Sequence, residues 1–196
     1  MPRLIVALAL LLLWTAAAAA QQLPALHRVT GVAGDDVLNI RAEPSASAPV
    51  LGSFQPGEDG VEVLRLSPDG RWGLVGLPEG PGWVAMRFLA REAPGPGSLP
   101  RPLRCVGTEP FWSLQVSGDA AVFATPERET PLRPLGEAGG FVGTVAAFDA
   151  GGETLDLTVV RRDCSDGMSD RPYGFTALVW NRGELFLEGC CTLSAR

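Results

Sequence analysis

The residues of this chain best suited to acid–base chemistry are carboxylates in its second half. Glu109 lies in the run GTEPFW, and Asp166 and Asp170 lie in the run CSDGMSD. A pair of carboxylates can act as acid and base in sugar hydrolysis, so a carboxylate-dependent hydrolase acting on cell-wall material is one hypothesis. The sequence offers no nucleophile or tuned base to accompany them. An Asp-Gly pair is typical of a turn, and the favoured interpretation is structural, with Asp170 or Ser169 capping that turn.

Metal and cofactor chemistry has little support. Asp163, Asp166 and Asp170 offer the oxygen ligands that calcium prefers, but their spacing differs from that of the EF-hand loop, and this site is kept only as an alternative. The single histidine, His27, rules out a two-histidine zinc motif, and we expect it to be solvated or packed at an edge. All 16 residues counted as lysine or arginine are arginine, which excludes Schiff-base and phosphate-loop lysines. We expect no cofactor and no metal.

The four cysteines all lie in the second half, at positions 105, 164, 190 and 191. In an oxidising compartment an even number of cysteines predicts disulfides, here two. A bridge between the neighbours Cys190 and Cys191 is strained and is excluded. Two pairings stay open: Cys105 with Cys190 and Cys164 with Cys191, or the same with the partners exchanged. A thiol metal or redox site is disfavoured because the sequence has no C-x-x-C motif.

The first 20 residues have the pattern of a secretory signal peptide. Arg3 precedes an apolar run at 4–14, and five alanines at 16–20 supply an Ala-x-Ala cleavage site before Gln21. The alternative is an uncleaved anchor. The apolar run is shorter than the roughly 20 residues of a membrane-spanning helix, so we expect no stable span after cleavage. The predicted location is the periplasm or the outside of the cell.

Removal of Arg3 with the signal leaves 15 arginines against 22 acidic residues, a net charge of −7. The acidic residues are spread along the chain rather than clustered. A basic surface for nucleic acid is therefore not expected.

Residues 37–89 form short apolar runs divided by turn signals. The run VEVLRL at 61–66 predicts a strand packed on both sides, and Pro68-Asp69-Gly70 predicts a tight turn, because proline presets φ and glycine accepts positive φ. Five short strands with turns between them indicate a small antiparallel barrel.

This stretch resembles the bacterial SH3 (SH3b) family. The matching pieces are LNIR at 38–41, PS at 44–45, PG at 56–57, VEVL at 61–64, DGRW at 69–72 and GWV at 82–84. The resemblance implies a cell-envelope binding module, without catalysis of its own, that recognises cell wall or a peptide. A ligand groove on it is expected near Arg41, Glu43, Trp72 and Trp83. For the two tryptophans themselves, the favoured interpretation is that they are core residues.

The sequence APGPGSLPRP at 93–102 predicts a semi-rigid linker. The predicted organisation is a signal peptide at 1–20, an SH3b-like barrel at 21–92, this linker, and a disulfide-containing β domain at 103–196. For the last domain we predict six strands, in an open barrel or a sandwich, and an all-β chain overall. Residues 126–140 are expected to form a loop, and Phe111 and Trp112 to be core. The six predicted strands lie at 111–116, 120–125, 141–148, 154–160, 175–180 and 184–188.

The second half also carries C-x-GTEPFW, C-x-DGMSD and a terminal GCC. Together these resemble an uncharacterised family of bacterial secreted or membrane-associated domains, and more distantly the small β domains of heat-shock-type lipoproteins and lysozyme inhibitors. Glu109 and Asp166 are the candidate binding residues here. The leading hypothesis for the whole chain is an exported, non-enzymatic envelope protein that binds peptidoglycan or a peptide or protein ligand. The alternatives are an inhibitor or accessory partner of an envelope hydrolase, and the hydrolase named above.

Overall fold

The computed structural model describes residues 22–181, 183 and 185–193. The predicted signal peptide and its cleavage site lie outside them. Apart from one 3₁₀ turn at Met86–Phe88, the regular structure in the described residues is all strand, as predicted. No helix in this part of the chain is long and apolar enough to cross a membrane.

The first unit consists of two small sheets. A three-stranded sheet has the order β4-β1-β8, and a five-stranded sheet has the order β3-β2-β7-β6-β5. The predicted strand at 61–66 is divided in two, with Leu64 between the parts. The strands are β1 (Ala25–Val29), β2 (Leu38–Arg41), β3 (Val50–Phe54), β4 (Val61–Val63), β5 (Arg65–Leu66), β6 (Trp72–Leu77), β7 (Gly80–Ala85) and β8 (Leu89–Arg91).

Alternation along the strands decides the small core of this unit. On β2, Leu38 and Ile40 point inward, while Asn39 and Arg41 are only half-buried. The inward residues of both sheets meet in one cluster of seven within the described chain. Its members are Val29, Leu38, Ile40, Phe54, Val61, Val75 and Val84.

The second unit is a closed barrel, which decides between the predicted barrel and sandwich. Strand order is β10-β11-β12-β13-β14-β15-β16-β9, and β9 also pairs with β10, so no strand edge is left open. The strands are β9 (Leu103–Thr108), β10 (Phe111–Ser117), β11 (Ala120–Ala124), β12 (Glu129–Gly139), β13 (Gly143–Asp149), β14 (Thr154–Cys164), β15 (Tyr173–Trp180) and β16 (Phe186–Thr192).

Two of these eight strands, β9 and β12, were missing from the sequence prediction. The prediction of a loop at 126–140 is wrong, because β12 pairs with both β11 and β13. The strand was not recognised because its prolines and glycines are typical of loops. Only Leu132 along it is fully buried, so it also lacks an alternating apolar pattern. The ladder shifts register between Pro134 and Gly136, and such a bulge is where a strand tolerates proline.

The barrel interior is filled by inward-pointing side chains. Leu155, Leu157 and Val159 share one inward face of β14, as the alternation predicts. Trp112 is buried, as expected, but the prediction for Phe111 is wrong, since it is 57% exposed. The cause is the pleat: neighbours on β10 point to opposite sides of the sheet.

Two disulfides join the described cysteines, and they select one of the two open pairings. Cys105 is bonded to Cys191, and Cys164 to Cys190. Cys105 and Cys191 are directly opposed on β9 and β16. The last strand is thereby tied both to the first strand of the barrel and to the end of β14.

The segment predicted to be a linker, 93–102, lies along the barrel. Leu99 is 1% exposed and belongs to the barrel core. The Thr144 hydroxyl donates to the Ser98 carbonyl at 2.8 Å, and Arg101 Nη2 forms an ion pair with Glu137 at 2.6 Å. This segment is therefore held by both apolar and polar contacts, while the domain boundaries stay a prediction.

The two units pack directly against each other. The buried Glu62 carboxylate on β4 accepts hydrogen bonds from the Thr192 hydroxyl and, at 2.9 Å, from the Leu193 N–H of the barrel. A Cβ at Gly76 would lie 2.9 Å from the Pro172 carbonyl oxygen, so only glycine permits this approach. The units thus share an interface with a buried polar contact and close backbone packing.

Candidate functional site

A network of short hydrogen bonds shapes the turn that leads into Trp72. The Ser67 hydroxyl donates to Asp69 at 2.6 Å and accepts from the Trp72 N–H at 3.0 Å. Arg71 donates to Asp69 through its backbone N–H and its Nε. These donors, Ser67 first and then Arg71, hold the pKa of Asp69 well below its ordinary value. Gly70 has φ of 69°, which confirms the predicted turn chemistry.

Trp72 lines a surface cavity of about 410 Å³, here called the Trp72 cavity. It lies between β2, the start of β6 and the 3₁₀ turn. Apolar surface and charges of both signs meet in it, a combination suited to a ligand that has both apolar and polar groups. Its side chains include Val32, Asp36, Asn39, Arg41, Trp72 and Phe88.

Arg41 connects this cavity to the neighbouring loop. Its Nη1 donates to the Ala48 carbonyl at 2.7 Å and so fixes one side of the loop at 42–49. Arg41 also lines the cavity together with Trp72. Arg41 can therefore both shape the site and offer donors to an acidic or carbonyl group of a ligand.

Of the four residues predicted for this groove, two line the Trp72 cavity. These are Arg41 and Trp72, whereas Glu43 and Trp83 do not line it. Glu43 is exposed on the loop. Trp83 is half-buried and is the cross-strand partner of Arg41 on β7.

Sequence reasoning missed other lining residues. Asn39 alternates with Leu38 and Ile40 on β2, so its outward position next to Arg41 could have been found from the period of two. Asp36 and Phe88 reach the cavity from a loop and from the 3₁₀ turn, and no local pattern marks them.

Glu109 and Asp166 line one shallow depression on the barrel, of about 210 Å³, beside the Cys164–Cys190 disulfide. Glu109 is exposed. The Asp166 carboxylate accepts hydrogen bonds from the backbone N–H groups of Met168 and Ser169, both at 3.0 Å. It also accepts from the Ser169 hydroxyl.

A further donor to Asp166 is the Tyr173 hydroxyl, at 3.2 Å. Burial alone would raise the pKa of Asp166, but the backbone donors Met168 and Ser169 together with Tyr173 and the Ser169 hydroxyl lower it. A carboxyl held ionised in this way is unsuited to general-acid catalysis. The structure thus agrees with a turn-capping role, with one change: Asp166 itself is the cap, rather than Asp170 or Ser169.

The three aspartates of the alternative calcium site are engaged separately. Asp163 forms an ion pair with Arg65 at 3.0 Å, and Asp170 lies beside Gly80 of the first unit. The described residues contain no cluster of three His, Cys, Asp or Glu side chains able to hold a metal ion. These aspartates therefore belong to a turn and to the interface between the units.

His27 is buried on β1 rather than solvated, at 4% exposure. Its Nδ1 lies 3.0 Å from the Ala25 carbonyl oxygen. Burial is the main cause that lowers its pKa; Arg91 adds to this, while backbone contacts and Glu92 oppose it. A neutral, enclosed imidazole of this kind is part of the sheet β4-β1-β8.

Comparison with known proteins supports one region of the chain. Residues 36–90 match the bacterial SH3 domain family. This stretch contains Arg41, Trp72 and most of the Trp72 cavity, and the domain is a binding module. No curated protein and no solved structure matches the chain. The resemblance of the second unit to secreted bacterial domains stays a prediction.

Proposed function

We propose that this protein is an exported, non-enzymatic protein of the bacterial cell envelope. In this proposal its SH3b unit binds peptidoglycan or a peptide in the Trp72 cavity. The observation that carries it is the coincidence of the SH3 match at 36–90 with a cavity whose lining residues include a tryptophan and an arginine. Tryptophan and arginine are the side chains that most often dominate binding energy.

Export to the periplasm or the outside of the cell is part of the same proposal. Two disulfides in the described chain are compatible with an oxidising compartment. The signal-like pattern at 1–20 supports the same location.

Co-sedimentation of the full chain with purified peptidoglycan tests the proposal, with soluble stem peptides as competitors. Trp72→Ala should weaken binding about tenfold or more, as expected for a central aromatic contact. Trp180→Ala is the matched control, because Trp180 is 48% exposed on the barrel and does not line the cavity. Equal retention of both variants would contradict the assignment of the site.

A second candidate function, the inhibition or assistance of an envelope hydrolase, is supported by the barrel. Its interior is filled, which favours a partner on the outside. Phe141 and Val142 in the β12–β13 turn and Val145 on β13 are exposed, at 94%, 63% and 52%. Exposed apolar groups of this kind typically mark protein contacts.

The full chain should then inhibit, or activate, a lysozyme-type enzyme in a turbidity assay, and Phe141→Ser should reduce the effect. Lack of any effect across a panel of wall hydrolases would remove this candidate.

A further inference from the structure

A cleft of about 280 Å³ lies where the three parts of the chain meet. The first unit contributes the entry to β1 and the end of β8, the segment at 93–101 forms a second wall, and the barrel closes the third side. Its side chains include Pro24, Leu26, Arg91, Leu99, Arg161 and Leu193. The cleft is distinct from the Trp72 cavity and shares no lining residue with it.

Arg161 occupies an unusual position in this cleft. It is paired with Phe175 across β14 and β15, and cross-strand partners point to the same side of a sheet. Phe175 is 1% exposed in the barrel core, so Arg161 continues the inward row that contains Val159. A guanidinium therefore lies at the mouth of the barrel, where the apolar interior ends.

The backbone N–H of Arg161 donates to the Val142 carbonyl at 3.2 Å, but its side-chain Nε is left without a partner among the described residues. This Nε is also shut off from solvent. The guanidinium carbon of Arg161 lies 5.8 Å from the centre of the Phe175 ring.

Arg101, in the same cleft, differs: it is ion-paired with Glu137 and donates to three backbone carbonyls. Arg91, the third arginine of the cleft, donates to the Gln22 carbonyl at 2.8 Å, so Arg161 Nε is the guanidinium donor of the cleft shown without a partner among the described residues.

The charge and size of the cleft restrict that ligand. Arg91, Arg101 and Arg161 line it against one acid, Glu92, whose carboxylate already accepts from the Gly60 N–H at 2.8 Å. Leucine and proline side chains form the apolar part of the wall. A planar carboxylate matches the fork of a guanidinium, and a short apolar group would fit the wall.

We propose that this cleft binds a small carboxylate with a short apolar side chain, held through Arg161. Two sources have this chemistry: the C-terminal residue of a peptide and a free amino acid. The site requires both units and the segment between them, so it is present only in the full chain.

Titration of the full chain with three probes tests this proposal. N-acetyl-L-alanine represents a peptide C-terminus, L-alanine represents a free amino acid, and N-acetyl-L-alaninamide lacks the carboxylate. Calorimetry and the ¹⁵N NMR signal of Arg161 Nε–H report binding. At least one acid should bind and shift that signal, the amide should not, and the ratio of the two acid affinities identifies the source.

Arg161→Gln should weaken binding of the acid at least tenfold. Arg162→Gln is the matched control, because the neighbouring Arg162 is exposed and does not line the cleft. Trp72→Ala should leave the affinity unchanged, which separates this site from the proposed SH3b function.

Failure of both acids to bind at millimolar concentration would overturn the proposal. So would equal binding of acid and amide to the unaltered protein, a result that does not depend on how any variant folds. Unchanged affinity in a folded Arg161→Gln variant would overturn it as well.

Discussion

The two units of this protein are both built from strands, but they differ in strand closure, in disulfides and in the size of the core. The barrel closes on itself, carries both disulfides of the described residues and buries a core cluster of 20 side chains. The first unit has two small sheets, no cysteine and a core cluster of seven. Small cores are marginal by themselves because they bury a smaller share of the chain.

The difference indicates that the first unit takes support from the barrel. Its β4 contributes Glu62 to the buried hydrogen bonds with the last barrel strand. Gly174 of the barrel has no room for a side chain because Pro24 packs against it. We therefore expect the binding module to be stable mainly in contact with the barrel.

The largest effect on stability should come from removing a disulfide of the barrel. Cys105→Ala combined with Cys191→Ala releases a loop of 86 residues and should cost about 4–5 kcal/mol of unfolding free energy in the chain-entropy picture. Cys164→Ala with Cys190→Ala releases 26 residues and should cost about 3–4 kcal/mol. Urea unfolding of the two variants measures both values, and a reversed order would contradict this account.

The next largest effect on stability should come from a side chain added at the interface between the two units. Gly76→Ala places a Cβ 2.9 Å from the Pro172 carbonyl oxygen and should cost about 1–3 kcal/mol through overpacking. Hydrogen exchange should speed up at Val84 in the first unit more than at Val179 in the barrel. Gly136→Ala meets nothing within 4 Å and should be close to neutral. Equal acceleration in both units would show that they unfold as one.

Loss of the buried carboxylate should have a smaller effect. Glu62→Gln keeps one acceptor but turns an amide N–H₂ toward the donors of Thr192 and Leu193, so it should cost about 1–2 kcal/mol. Glu129→Gln, at an exposed position on β12, is the control. Thermal unfolding of the two variants compares them, and an unchanged midpoint for Glu62→Gln would show that this contact contributes nothing.

The smallest effect should be a dependence of the stability of the first unit on pH. The pKa of His27 is lowered in the folded state, chiefly by burial, so the unfolded state binds more protons. Stability contributed by neutral His27 is therefore complete above about 6.5, the ordinary pKa of histidine, and falls as the pH drops below it. His27→Gln should flatten the stability profile between pH 7 and 5. A profile as steep as that of the unaltered protein would assign the dependence to other groups.

Local patterns predicted a good part of this structure. The alternation of Leu155, Leu157 and Val159 identified the inward face of β14, and the residues from Pro68 to Gly70 predicted the turn before Trp72. Strand β12 could not be predicted, because its composition is typical of a loop. It is a strand because β11 and β13 pair with it on both sides.

The residues of the candidate sites were likewise predicted only in part from the sequence. Arg41 and Trp72 were found because the SH3b resemblance identified their segment, and both line one cavity. Asp36 and Phe88 were missed because they reach it from a loop and from the 3₁₀ turn, which no local pattern marks. Arg161 was missed because the predicted strand ended at 160, one residue before it, although it continues the alternation of Leu155, Leu157 and Val159; its pairing with Phe175, 14 positions further along the chain, shows its inward direction.

The sequence by itself determined that the chain is built from strands, where most of them turn, and that its four cysteines form two bridges, since these depend on neighbouring residues and on residue type. The tertiary structure decided which cysteines pair, that the second unit closes as a barrel, and that the two units meet through Glu62 and Gly76. These outcomes depend on which distant strands become neighbours, and alternation along one strand contains no information about its partners.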